Sequence, residues 1–160
     1  MNQIQTKQCL NKFSGNNYYI IEVDGESLET IVLKNRPEIH KGLVPTLLNW
    51  IRNNDEREVV WSRVLPEDNE KTLLPILMCS EDIDFSCHVI MVRVSADQNF
   101  VYWEKFGLGE SDPEPAHEIG KNIDWFNEVP AMKFPIEEYR NVIQKFRKYL
   151  KINDQANAYK

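Results

Sequence analysis

The segment from Thr72 to Gly107 constrains the fold most. Two nearly continuous apolar runs, Leu73 to Cys79 and Cys87 to Val94, flank a connection that carries Glu81, Asp82 and Asp84. A polar turn, Ala96-Asp97-Gln98-Asn99, then leads into an aromatic run from Phe100 to Phe106. Short apolar runs bounded by turn signals fit strands buried on both faces, and they fall far short of the ~20 residues that span a bilayer. Short turns between such strands make neighbours antiparallel. Both faces of Cys87 to Val94 are largely apolar, which places it at the centre of a sheet. Pro75 has no amide N–H to give to a ladder, so its strand is expected at an edge or with a bulge there.

The flanking segments supply further elements. Asn17 to Val23 reads as a strand, and Asp24-Gly25 is a strong signal for a type I′ hairpin turn. Ser27 to Leu33 is expected to return as the second strand, with Leu28, Thr30 and Val32 on one face, until Arg36-Pro37 breaks it. Leu43, Leu47, Trp50 and Ile51 fall at helical spacing, so a helix is expected over 43–53, with Asn53-Asn54 as its stop. Glu58 to Leu65 reads as a strand with Val59, Trp61 and Leu65 on one face. Gly107 to Asn122 is too long and polar for an idle loop and is expected to be functional or mobile. Ile123 to Phe134 is expected to lie over the core. Ile136, Tyr139, Val142, Ile143, Phe146 and Leu150 form one apolar helical stripe opened by Pro135, with Glu137 and Glu138 suited to the N-terminal end of the helix dipole. The expected class is α+β, a mainly antiparallel sheet of about six strands with two helices packed on one face. A single domain over 1–160 is expected, with 1–15 and 153–160 as frayed ends.

Charge is distributed unevenly. From Pro66 to Glu128 there are fourteen Asp and Glu against four Lys and Arg, whereas the remaining chain has eleven acids and fifteen bases. An acidic centre repels phosphates, which opposes nucleic-acid binding there and favours a cationic partner. The polar N-terminal stretch has no apolar signal-peptide core, so a cytoplasmic protein is expected. Cys9, Cys79 and Cys87 make an odd count without paired close spacing, and a zinc site built on close Cys or His pairs is not expected. Cys79 and Cys87 read as small buried thiols.

Three constellations could carry chemistry. Asp82 and Asp84 with His88 would serve a metal-assisted hydrolase if the three converged; a half-buried, hydrogen-bonded His88 is the simpler reading. His117-Glu118 with Glu110, Asp112 and Glu114 has no metal-specific spacing, and His40 stands alone. Ser14-Gly15 and Gly107-Leu108-Gly109 do not match a phosphate-cradling loop. No nucleophile elbow or zinc-protease motif is present. No catalytic residue, metal or cofactor is therefore assigned. Tyr102 and Trp103 are neighbours on a strand, so they point to opposite faces and one of them can face outward.

The run Leu74 to Cys79, followed by Glu81-Asp82-Ile83-Asp84-Phe85, Cys87 to Val92 and Val101-Tyr102-Trp103-Glu104-Lys105-Phe106-Gly107, resembles small bacterial immunity proteins that accompany polymorphic and contact-dependent growth-inhibition toxins. Trp125 and the helix from Phe134-Pro135 to Phe146 are similar as well. The resemblance implies a cytoplasmic protein that binds and blocks a cognate toxin C-terminal domain, such as a nuclease; from the charge distribution and the short apolar runs, no nucleic-acid or membrane partner is expected. An acidic inhibitor surface would steer that encounter. The contact residues expected on this basis are Glu67, Asp68, Glu81, Asp82, Asp84, Glu110, Asp112 and Glu114, with Tyr102 and Trp103 as anchors. A regulatory or scaffold domain unrelated to toxins is the alternative binding role.

Overall fold

The computed structural model describes residues 1–10, 17–39, 42–48 and 50–158, with side chains described as far as Lys148. His40 and Ser14-Gly15 lie outside the described residues. The elements in order are β1 (Ile4–Leu10), β2 (Asn17–Val23), β3 (Glu26–Ser27), α1 (Leu28–Asn35), β4 (Leu43–Pro45), α2 (Asn54–Arg63), β5 (Lys71–Cys79), β6 (Val89–Ala96), β7 (Phe100–Gly109), β8 (Ile123–Phe126), β9 (Met132–Pro135) and α3 (Ile136–Ala158), with a 3-10 turn at Ala116–Glu118. The class is α+β. A small sheet runs β1-β2-β3, and a larger six-stranded sheet runs β4-β5-β6-β7-β8, with β9 pairing with the other end of β7. Every pairing among the described residues is antiparallel. No helix among them is long and apolar enough to cross a membrane.

The large sheet is the scaffold, and β6 lies at its centre. Val89 to Val92 and Val94 are buried, as a strand covered on both faces requires. β5 bears a register shift between Pro75 and Leu77. Thr46 supplies the polar contacts that this bulge removes from the ladder. Its amide donates to the Ile76 carbonyl at 3.0 Å and its hydroxyl to the Pro75 carbonyl at 2.6 Å. Asp24 and Gly25 both take left-handed φ values, 53° and 82°, as a type I′ turn demands.

Four segments differ from the sequence expectation. Residues 28–35 form α1 rather than a strand. The Ser27 hydroxyl caps it by accepting from the Thr30 amide at 3.1 Å, and Leu28, Ile31 and Val32 bury a helical face. The described residues of 43–53 form no helix: Leu43 to Pro45 pair with Cys79, Met78 and Leu77 as β4. The strand expected over Glu58 to Leu65 is absent, and Asn54–Arg63 form α2. Asn53 starts this helix instead of stopping one, its side-chain oxygen accepting from the amides of Asp55 and Glu56. Part of the expected frayed ends is regular structure, since Ile4–Leu10 pairs along its whole length with β2 and α3 runs on to Ala158.

The helices do not share one face. α3 packs against β1, β7 and β9, with Tyr139, Val142, Ile143 and Phe146 buried. Each such side chain is worth about 1.5–3 kcal/mol on full burial. α2 instead lies along the edge of β5 that β4 leaves uncovered. The Thr72 hydroxyl donates to the Arg63 carbonyl at 2.7 Å, and the Arg63 guanidinium donates to the Leu73 carbonyl at 3.0 Å. A sheet edge closed in this way is not open to further strand pairing. α1 belongs to the small sheet, beside β2 and β3.

Candidate functional site

The sheet sorts the expected contact residues into two groups at opposite ends. Glu67 and Asp68 precede β5, and the Asn69 amide donates to the Ala96 carbonyl, so their turn adjoins the β6–β7 turn. Tyr102 belongs to this end. Its hydroxyl donates to Asp97 at 2.9 Å, and Asp97 is held below the usual carboxylate range by the Asn99 and Phe100 amides and by that hydroxyl. Glu81, Asp82, Asp84, Glu110, Asp112 and Glu114 lie at the other end, beyond the last residues of β5 and β7. A nine-residue strand separates the groups, roughly 25–30 Å at about 3.3 Å per residue. One compact patch does not include both.

Trp103 is not a surface anchor. It is 1% exposed, stands edge-on to Phe134 at 5.0 Å and donates its indole N–H to the Tyr139 hydroxyl at 3.4 Å. Strand alternation does turn Tyr102 the other way, and it is half-exposed.

At the far end two loops meet. The Asp112 amide donates to the Phe85 carbonyl at 2.9 Å, joining the 80–86 loop to the 110–122 connection. Phe85 is fully buried and pins its loop to the core. The Phe85 amide donates to the Glu56 carboxylate at 3.3 Å, which brings the first turn of α2 into the same group. Burial pushes the Glu56 carboxyl above its ordinary value, and the charges of Asp84 and Asp112 push it further against the Phe85 hydrogen bond. Glu56 is not among the residues singled out from the sequence, because it falls between the expected helix stop at Asn53-Asn54 and the strand expected from Glu58. Its only local signal is the N-cap at Asn53, which marks the start of a helix and hence a surface carrying Asp55, Glu56 and Glu58.

Arg63 holds the other half of the connection. Its two terminal nitrogens donate to the Ile119 carbonyl at 2.8 Å and the His117 carbonyl at 2.7 Å. The 110–122 connection is therefore tied at both halves. Gly107 and Gly109, which do not match a phosphate-cradling loop, are strand residues. A Cβ at Gly107 would lie 2.4 Å from Ile123 and 2.8 Å from the Asp124 carbonyl, so the close approach of β8 requires glycine there.

Among the described residues, the ion pairs engage Glu22, Glu26, Glu38, Glu104, Glu118, Asp124, Glu128 and Glu137, and none of the eight expected contact acids. Asp84 accepts from the Ser86 amide and hydroxyl, and Glu110 from Asn122. Glu81, Asp82, Glu110, Asp112 and Glu114 are exposed and Asp84 half-exposed.

Neither expected catalytic grouping assembles. Among the described residues, the one set of three potential metal-ligating side chains whose donor atoms lie within 4.8 Å of one another is Cys79, Asp82 and Cys87. Asp84 and His88 are outside it, and so are His117, Glu110, Asp112 and Glu114. His88 is half-buried. His117 is exposed and lies 3.5 Å from Glu118, which also pairs with Lys121. A cavity of about 630 Å³ lies between β2, α1 and β4, with Leu10, Tyr18, Leu28, Leu43 and Trp50 in its wall. Its half-buried carboxylate, Glu29, accepts from the Leu43 amide and is raised by burial. Compared with known protein families, curated proteins and solved structures, the chain matches none.

Proposed function

We propose that this chain is a binding protein that neutralises a cognate toxin domain, a nuclease with a basic active-site cleft, by docking the acidic rim formed by the 80–86 loop, the 110–114 segment and the start of α2. The observation that carries the reading is the state of these carboxylates: they come from three elements joined by the Phe85 amide and carbonyl, Glu81, Asp82, Glu110, Asp112 and Glu114 are exposed, and the ion pairs among the described residues engage none of them. Carboxylates left in this state raise the local negative potential and speed the encounter with a cationic partner. Burying them is costly unless the partner's own cations meet them, and that requirement excludes neutral or acidic surfaces.

The two-ended arrangement narrows the contact set. Glu56, Glu81, Asp82, Asp84, Glu110, Asp112 and Glu114 belong to the docking rim, whereas Glu67, Asp68 and Tyr102 lie outside it. The test is association with the toxin domain encoded beside this chain, followed kinetically at about 50 mM and about 500 mM salt. The wild-type on-rate should fall at least about tenfold across that range. Asp84→Lys combined with Asp112→Lys should weaken binding by about a hundredfold, while Glu67→Lys with Asp68→Lys should leave it within about twofold. Equal effects from the two pairs, or binding insensitive to salt, would remove the acidic rim from the mechanism.

A further inference from the structure

The fold joins two cysteines that the sequence keeps apart. Cys79 ends β5 and Cys87 lies just before β6, so the loop between them returns the second thiol to the first. The Ile83 amide donates to the Cys79 carbonyl at 2.9 Å, closing residues 79–83 into one turn. Ile83 takes a left-handed φ of 47°, and this reversal directs the chain back over the end of β5. Asp82 then meets both thiols. The Cys79 and Cys87 sulfurs and an Asp82 carboxylate oxygen all lie within 4.8 Å of one another. Cys79 is 1% exposed, Cys87 is half-buried and Asp82 is exposed, so the group has a closed floor and an open mouth.

We propose that Cys79, Asp82 and Cys87 form a binding site for a thiophilic divalent cation, zinc in the first instance. Two thiolates and a carboxylate are a donor set suited to zinc, whose bonds are about 2.3 Å to sulfur and about 2.0–2.2 Å to oxygen. A tetrahedral site with such bonds separates its sulfurs by about 3.8 Å. The donors therefore need to contract by no more than about 1 Å from their 4.8 Å bound, and the exposed Asp82 side chain is free to follow. On binding, the two thiol protons pass to solvent and the cation takes up the released electron pairs. The fourth position faces the mouth, where water completes the shell. The donor set does not suit magnesium or calcium, which prefer oxygen-only shells.

Such a site would tie the end of β5 to the start of β6 through the loop that presents Asp84. The inference is independent of the toxin reading, because it concerns the free protein and a bare cation. It is tested by titrating the fully reduced protein with cobalt(II), whose thiolate complexes absorb in the near ultraviolet, and then displacing the cobalt with zinc. The wild type should give a saturable thiolate-to-cobalt band at one equivalent, lost on adding zinc. Cys87→Ser should cut the band to about half or less, and Asp82→Asn should weaken cobalt affinity at least about tenfold. Cys9→Ser, altered on β1, should change neither. Unfolding midpoints measured without metal show whether each variant is folded, and Asp82→Asn, altered at an exposed position, keeps the test open if Cys87→Ser is not. Absence of the band in the wild type, a band and affinity unchanged in both site variants, or loss of the band in Cys9→Ser would overturn the assignment.

Discussion

At the residue scale, single side chains satisfy the backbone where regular pairing fails. Thr46 is 2% exposed, and its hydroxyl lies 2.6 Å from the Pro75 carbonyl and 3.3 Å from that of Ile76. The bulge at Pro75 would otherwise bury carbonyl groups without donors. Thr46→Val keeps the shape and removes the donor, so it should destabilise the protein by about 1–3 kcal/mol, read as a lower urea midpoint with an unchanged slope. Tyr139 plays a comparable part beneath α3. Its hydroxyl donates to the Val64 carbonyl at 2.6 Å and accepts from Trp103, and burial pushes its ionisation far above the ordinary tyrosine range. Neither role is visible from residue type, because each depends on a carbonyl distant in sequence. Pro75 itself was informative, since its missing N–H requires a defect whatever surrounds it.

At the scale of elements, helices and strands were read correctly where the signal was long or chemically unambiguous. β5, β6 and β7 carry runs too apolar for anything but a buried core, and the described part of the α3 stripe is buried as its spacing requires. Short segments were misread because period 2 and period 3.6 overlap over a few residues. Leu28, Thr30 and Val32 suit a strand face, while Leu28, Ile31 and Val32 suit a helix; the Ser27 cap decides for the helix. Leu43 to Pro45 became a strand because the end of β5 offered a partner. The 110–122 connection is a similar case, since its order comes from α2. Arg63→Met removes the hydrogen bonds to Leu73, His117 and Ile119 while keeping much of the apolar stem. We expect a loss of about 2–3 kcal/mol in stability. Amide exchange should also accelerate across 116–121 while protection in β6 relative to global unfolding is unchanged.

At the scale of the whole molecule, the acidic rim is a sum of fields. Glu56 reports it, because burial and the charges of Asp84 and Asp112 raise its carboxyl above the unfolded value. The folded protein thus holds that proton more tightly than the unfolded chain. Its contribution to stability is complete below the unfolded value, about 4.3, and is lost as pH rises through the folded value. Glu56→Gln retains an acceptor for the Phe85 amide without the charge. Relative to wild type it should gain stability as pH climbs from about 4 to 7, with no gain at the acid end, in urea midpoints measured at each pH. The lowered carboxyls of Asp24, Asp97 and Glu104 act in the opposite sense but cancel in the comparison.

The amino-acid order alone determined that this chain builds an antiparallel core around 72–107, places a helix after Pro135 and concentrates negative charge between Pro66 and Glu128. These are local properties: apolar runs, turn residues and charge counts need no distant partner to be recognised. Tertiary structure decided which acids share a rim, that Glu56 joins them, that Trp103 is internal, and that Cys79, Asp82 and Cys87 meet. Each of those outcomes depends on strand register and on loops that return across the sheet, and register is set by how the whole core packs.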